Sequence, residues 1–447
     1  MKKLFKNRNF FLLFQGSLVS AIGTSAYSFA AGLYIQSLFG KEGGAFWLGI
    51  FMAVNIGIMI LLSPIAGLLA DRINKIRILY LTDFLRSILF FITLYTLTLG
   101  FEKETLVWIL LGVTAIASIN QAFFGPAATA VIPEVVGEDM IQAANGANNV
   151  IGSLQTILGI IVGTVLFGLI GFEAAVLANA ISFVFSAISE MFIRTKYEKQ
   201  ETEERKLSDH LNDIKFGFKY IVNKEGLLTM MLFSLMLNFC FSPLFSVGIP
   251  YLFYTELGAS EFEVGAVEIA FSIVALFASI VVGGMKLKSL RHSVMRGIMY
   301  ISATFIFAAI IIALVTYSII GYWVFFGLFV LAMSLFAITT TYTNIPLNTG
   351  MMKAIEPEVR GRVFATIHAL SMGAIPISAV LAGILIDKSN VATLGFVLSI
   401  LVIIITLFMK SNQKVKSLFD SIDKNNKEIE EKKNQAEIDL IDELEKA

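Results

Sequence analysis

Asp83, Arg86, Glu268 and His368 stand inside otherwise apolar runs of the chain. A charge in hydrocarbon is expensive, so such side chains rarely face lipid. They pair with one another or line a water-filled cavity, where a carboxyl or imidazole can exchange a proton. Asp83 and Arg86 are one helical turn apart, and Asp83 lies roughly 9 Å of helix beyond Arg77. Two readings stay open for Asp83, a structural ion pair with Arg86 or a proton-binding site. Glu268 either lines a cavity or extends to the nearer surface. His368 titrates near neutral pH when unperturbed, and a packed, hydrogen-bonded histidine is the alternative.

A second group of charges sits in the stretch Gly67-Leu-Leu-Ala-Asp71-Arg72-Ile-Asn74-Lys75-Ile-Arg77. One acid and three cations occupy a very short turn between two runs that are each long enough to cross a bilayer. A loop that merely anchors membrane orientation needs Arg72, Lys75 and Arg77, but neither Gly67 nor Asp71. Asn74, within the turn, is read as the residue that after glycine best takes a left-handed backbone. Neutral polar residues also recur in the apolar runs: Asn120, Gln121, Asn148, Asn149, Asn238, Asn344 and Asn348. They suit a cavity lining or hydrogen bonds between helices.

The elements that must position these groups follow from composition. Of 447 residues, 56% are hydrophobic and 15% charged, with a mean hydropathy of +0.78, so lipid is the solvent for most of the chain. Apolar runs suit twelve helices at about 10–38, 47–70, 76–100, 105–131, 140–170, 172–194, 226–255, 262–285, 293–318, 320–351, 360–386 and 391–410. The first is too long for a signal peptide and lacks a small-residue cleavage site, so it reads as a retained span. Roughly thirty of the 34 Lys and Arg fall at the N-terminus, in alternate loops and in the tail. The opposite loops hold only Lys41, Lys103 and Lys388. This bias predicts a multi-pass protein of the cytoplasmic membrane with both termini cytoplasmic.

The middle segment, 195–225, divides the chain into bundles at 1–194 and 226–411, and a charged tail occupies 412–447. Within the linker, Leu207, Leu211, Ile214, Phe218 and Ile221 keep helical spacing, as in an amphipathic helix lying along a membrane surface. The tail is read as a polar helix or a disordered segment. The halves show a weak repeat: Pro126 and Pro346 are 220 residues apart, as are Gly163 and Gly383. The single cysteine, Cys240, excludes an intramolecular disulfide and a Cys-based metal cluster. Three scattered histidines, no phosphate-binding loop and no metal-ligand spacing argue against an enzyme. No cofactor, metal or nucleic-acid partner is expected.

The turn at 67–77 resembles the signature loop between the second and third spans of the major facilitator superfamily, with Gly67, Asp71, Arg72 and Lys75 in register. Asn74 departs from the pattern, as does Ile76, whose charge is displaced to Arg77. Several further stretches narrow the resemblance to the macrolide-efflux and enterobactin-exporter branch. They are Asn9-Phe10 through Gly23, Leu81-Thr-Asp83-Phe-Leu-Arg86, Phe124-Gly-Pro126-Ala, the linker's Asp213 to Ile221, and Pro357-Glu-Val-Arg360-Gly-Arg362-Val-Phe. The resemblance runs from about residue 8 to 410. It implies an all-α membrane protein of twelve spans in two pseudo-symmetric six-helix bundles, working by alternating access.

It also implies that Asp71 docks near the start of the eleventh span, with Arg360 or Arg362 as partner, so that the contact breaks when the inner gate opens. Capping of a helix end is the plainer role for Asp71. Proton-coupled relatives often carry an Arg in the fourth span, a Gly-Pro pair in the fifth and an acid in the first. Here the fourth span has no Arg, Ile160 follows Gly159, and Thr24 follows Gly23. The resemblance points to a monomeric, proton-coupled exporter of small amphipathic compounds, such as macrolide-like drugs or siderophores. A lysophospholipid or nutrient carrier and a non-transporting receptor of the same fold are the alternatives.

Overall fold

A computed structural model describes residues 2–194, 207–285, 289–356 and 358–424; side chains at 2–3, 63–64, 67–72, 138 and 207–211 are also outside the description. Every regular element among the described residues is helical. Twelve helices are long and apolar enough to cross a membrane. Six precede the linker: Arg8–Phe39, Gly44–Leu62, Lys75–Leu97, Lys103–Val136, Ile141–Leu169 and Phe172–Met191. Six follow it: Leu227–Glu256, Glu261–Gly284, Leu290–Thr316, Tyr322–Ala354, Arg360–Lys388 and Val391–Ser411.

Helix starts carry the caps their sequences supply. Asn7 accepts from the Asn9 and Phe10 amides, Asn390 from Thr393, and Ser260 with Glu263 forms a capping box. Asn74 differs from expectation. Its backbone (φ −56°, ψ 114°) is not left-handed, and its side chain caps the third span by accepting from the Arg77 amide at 3.2 Å. Asparagine therefore serves this turn through its side-chain oxygen, which glycine lacks. Pro243 and Pro250 cannot donate backbone hydrogen bonds, and the seventh span contains wide π-helical turns at Leu244–Gly248 and Leu252–Glu256.

Alternating chain direction puts the N-terminal start of the first span and Ser411 at one end of the bundle, here the basic end. The turns near 40–43, 98–102, 257–260 and 389–390 lie at the far end. At the far end the two halves meet closely, the second span against the eleventh and the fifth against the eighth. Asp387 accepts from the Ala45 amide (3.3 Å) and the Phe46 amide (3.0 Å), and Thr255 donates to Gln36 at 3.2 Å. Glycines permit the approach. A Cβ on Gly49 would lie 2.5 Å from the Ala379 carbonyl oxygen, and one on Gly383 the same distance from that of Ala45. The repeat is thus inexact in use, since Gly163 packs against Ala26 inside its own half while Gly383 packs across halves.

The linker helix Leu207–Asn223 is bound to the second half as well as amphipathic. Ile221 is buried, Gly217 lies against Thr366, and Arg362 donates to Asp213 at 3.2 Å. Ile214 and Phe218, on the same side of the helix, remain exposed, so only part of the apolar face expected from spacing is covered by the second half. Residues 413–424 of the tail are helical and packed. Val415 and Phe419 are buried, Asp423 accepts from the Leu290 amide at 2.7 Å, and Asp420 pairs with Arg291.

Candidate functional site

A cavity of about 610 Å³ lies in the second half. Its walls are mainly aromatic and aliphatic, with Phe241, Phe245, Phe271 and Phe336 contributing rings from the seventh, eighth and tenth spans. Phe336 holds four neighbouring phenyl rings at centroid distances of 5.0–6.4 Å, so the wall is a packed aromatic cluster. Asn238, Asn344, Asn348 and His368 all line it, which brings together four of the polar residues singled out in the sequence. Asn238 also donates to the Ser371 carbonyl at 3.2 Å and so links the seventh span to the eleventh. Asn344, Asn348 and His368 are exposed to the cavity.

A second cavity of about 220 Å³ lies between the halves, beneath the far-end seal. Ser25, Ser28 and Gln36 line it from the first span, Ser246 from the seventh and Glu268 from the eighth, and Phe245 lines both cavities. Glu268 therefore faces a space between the halves whose remaining walls are mainly apolar. Asn120 donates to the Ile116 carbonyl of its own helix, and Asn149 is exposed on the basic half of the fifth span. Gly159, farther along, packs against Ser25.

Asp83 and Arg86 are buried and paired, with Arg86 Nη2 donating to Asp83 Oδ1 at 2.6 Å. Arg86 Nη1 donates to Gln121 Oε1 at 2.7 Å. The guanidinium lies 4.8 Å from the Phe124 ring centroid and 4.5 Å from that of Phe183. The ion pair read from the sequence is present, and Gln121 joins it. Sequence reasoning missed Glu190, which shares this pocket and is fully buried. It lies one residue before the end of its helix, where an acid next to a basic linker looks like an interfacial residue. Asp387 was missed for the same reason.

The side chains of Gly67, Asp71 and Arg72 lie outside the described residues, as does Pro357. Lys75 pairs with Glu134, and Arg77 is exposed. Arg360 donates to the Ile355 carbonyl at 3.2 Å, and Arg362 is bonded to the linker helix. Next to them Glu356 accepts from Lys224 at 2.8 Å and from the Tyr220 hydroxyl. Those donors hold the Glu356 carboxyl well below the ordinary carboxylate range, at about 2, and the same bond raises Lys224.

A sequence model described as Major Facilitator Superfamily matches residues 84–378. The chain belongs to that superfamily. It is 25% identical over 425 residues to an uncharacterized MFS-type transporter, YkuC, of Bacillus subtilis, covering 91% of this chain and 92% of that one. Macrolide efflux protein A of Streptococcus pyogenes is 21% identical over 386 residues, 86% of this chain and 90% of its own length. The fold matches a crystal structure of a bacterial homologue of the iron transporter ferroportin in an inward-facing state. The TM-score is 0.66 at 14% identity, over 92% of this chain and 100% of that one. This major facilitator protein is a multi-pass membrane transporter, not an enzyme.

Proposed function

We propose that this transporter exports small amphipathic compounds by alternating access, driven by protons moving the other way. The observation that carries the reading is the 610 Å³ cavity. Its aromatic wall favours apolar cargo, and its polar groups are amides, hydroxyls and one imidazole, with no Asp, Glu, Lys or Arg among the described residues of the lining. Such a lining suits a compound with a large apolar body and several hydrogen-bonding groups, such as a macrolide. With the Lys and Arg bias setting the basic end in the cytoplasm, the far-end seal makes this the inward-facing state. Cargo then enters the cavity from the cytoplasm or the inner leaflet.

The likeness to macrolide efflux protein A supports export of this class of compound. Two groups of carboxyls support proton coupling: the half-buried Glu268 in the space between the halves, and the buried acids around Arg86. Asp71 is proposed as the acid that docks at the start of the eleventh span in the opposite state, taking Arg360 or Arg362. In the inward-facing state both arginines have other partners. The test is accumulation of radiolabelled erythromycin by cells lacking their own drug exporters. Expression is expected to lower accumulation, and Asn344→Leu with Asn348→Leu is expected to restore it. Equal accumulation with and without the protein, for macrolides and siderophores alike, would refute this reading.

A further inference from the structure

Glu190 is 0% exposed, and neither of its carboxyl oxygens is held by a cation or a backbone amide. It sits within electrostatic reach of Asp83, also 0% exposed, and of Arg86, 3% exposed. Asp83 Oδ2 and Arg86 Nε are unpartnered as well. The elements packed around Glu190 add no further charge among the described residues. The first span contributes Gln15, bonded to Ser189, whose hydroxyl donates in turn to the Leu12 carbonyl. The fourth span contributes Gln121 and Phe124 against Arg86, and the sixth span itself Ser186, whose hydroxyl lies beside both carboxyls. Two carboxyls therefore face one guanidinium.

With both acids ionised the pocket would hold a net negative charge, with only the Ser186 hydroxyl beside Glu190. An unpaired ion of that kind costs several kcal/mol even after relaxation. One proton removes the excess. We propose that Glu190 and Asp83 hold a single exchangeable proton between them, with Arg86 as the fixed countercharge, and that this cluster is the proton-binding site of the transporter. The Glu190 carboxylic acid releases its proton to water and becomes a carboxylate, and no other bond changes. Arg86, whose Nε is free, then answers two carboxylates in place of one. Arg86 and Gln121 also line a cavity of about 60 Å³, together with Thr24 and Asn55 of the first and second spans. A shift of the guanidinium toward Glu190 loosens its hold on Gln121, so the protonation state reaches the fourth span and the wall of the pathway.

The role in transport rests on the proton-coupled reading, but protonation itself is tested without any cargo. Infrared spectra of the purified full chain in lipid nanodiscs at neutral pH report the C=O stretch of a carboxylic acid. The expected result is a buried-acid band that disappears in Glu190→Gln. It disappears in Asp83→Asn too, because Glu190 then ionises to balance Arg86. Glu268→Gln leaves that component in place. If that component survives Glu190→Gln, or keeps full intensity in Asp83→Asn, the proposal is overturned. Thermal unfolding guards against a variant that folds poorly. A neutral isostere of a neutral acid keeps the midpoint, whereas Glu190→Gln would lower it if Glu190 were the ionised partner of Arg86.

Discussion

The far-end seal rests on backbone approaching backbone, and Gly49→Ala tests it. The added Cβ would stand 2.5 Å from the Ala379 carbonyl oxygen and 3.1 Å from its carbon, across the boundary between halves. Ordinary contact begins at 3.4 Å, so the second and eleventh spans must part there by about 0.9 Å. Neither is a side chain that can swing away. Overpacking of this kind costs about 1–3 kcal/mol. Under the proposed alternating access the halves separate at this point in the opposite state, so the cost falls on the sealed state alone. An equilibrium biased by that amount shifts about 5–150-fold toward the far-open state.

The assay is a distance distribution between spin labels at Glu42→Cys and Lys388→Cys, both exposed at the far end, with buried Cys240 replaced by Ala. Gly49→Ala is expected to populate a longer distance. Gly152→Ala is the control, since nothing lies within 4 Å of its added Cβ. An unchanged distribution in Gly49→Ala, or an equal change in both variants, refutes the reasoning.

Asp387→Ala removes the acceptor for two amides at the start of the second span. Loss of such a cap costs about 1 kcal/mol, so the same spin-label distance should lengthen more modestly. Glu356→Gln weakens the hold of the second half on the linker helix, and faster hydrogen exchange over residues 212–223 is the expected readout. Because the Glu356 carboxyl is held at about 2, its contribution is present above the ordinary carboxylate range and is lost only as pH falls toward that value. Exchange protection should therefore not change between about pH 5 and pH 8 for want of Glu356 ionisation. Phe336→Ala removes the ring shared by four others and is expected to cost about 3–5 kcal/mol, read as a lowered thermal midpoint.

The twelve spans were legible because length and hydropathy alone decide what can cross a bilayer. The Asp83–Arg86 pair was legible because one helical turn separates two charges in an apolar run. Glu190 was not, since its partner lies 107 residues away on another helix, and only packing reveals which way a residue near a helix end points. Asn74 was placed correctly in the turn, but its role lay in a side-chain oxygen that spacing does not display. The linker helix was visible as amphipathic. That part of its apolar face is covered depended on Gly217 and Ile221 meeting the eleventh and seventh spans, which no periodicity records. His368, Asn238, Asn344 and Asn348 converge on one cavity from three spans, which the polar residue types hinted at without saying which would meet.

The most direct test of proton-driven export uses inverted membrane vesicles carrying the protein, an imposed proton gradient and erythromycin as cargo. The account predicts erythromycin uptake that dissipates the gradient, with both effects lost in Glu190→Gln and Asp83→Asn. Uptake that proceeds at the same rate after the gradient is collapsed would contradict it.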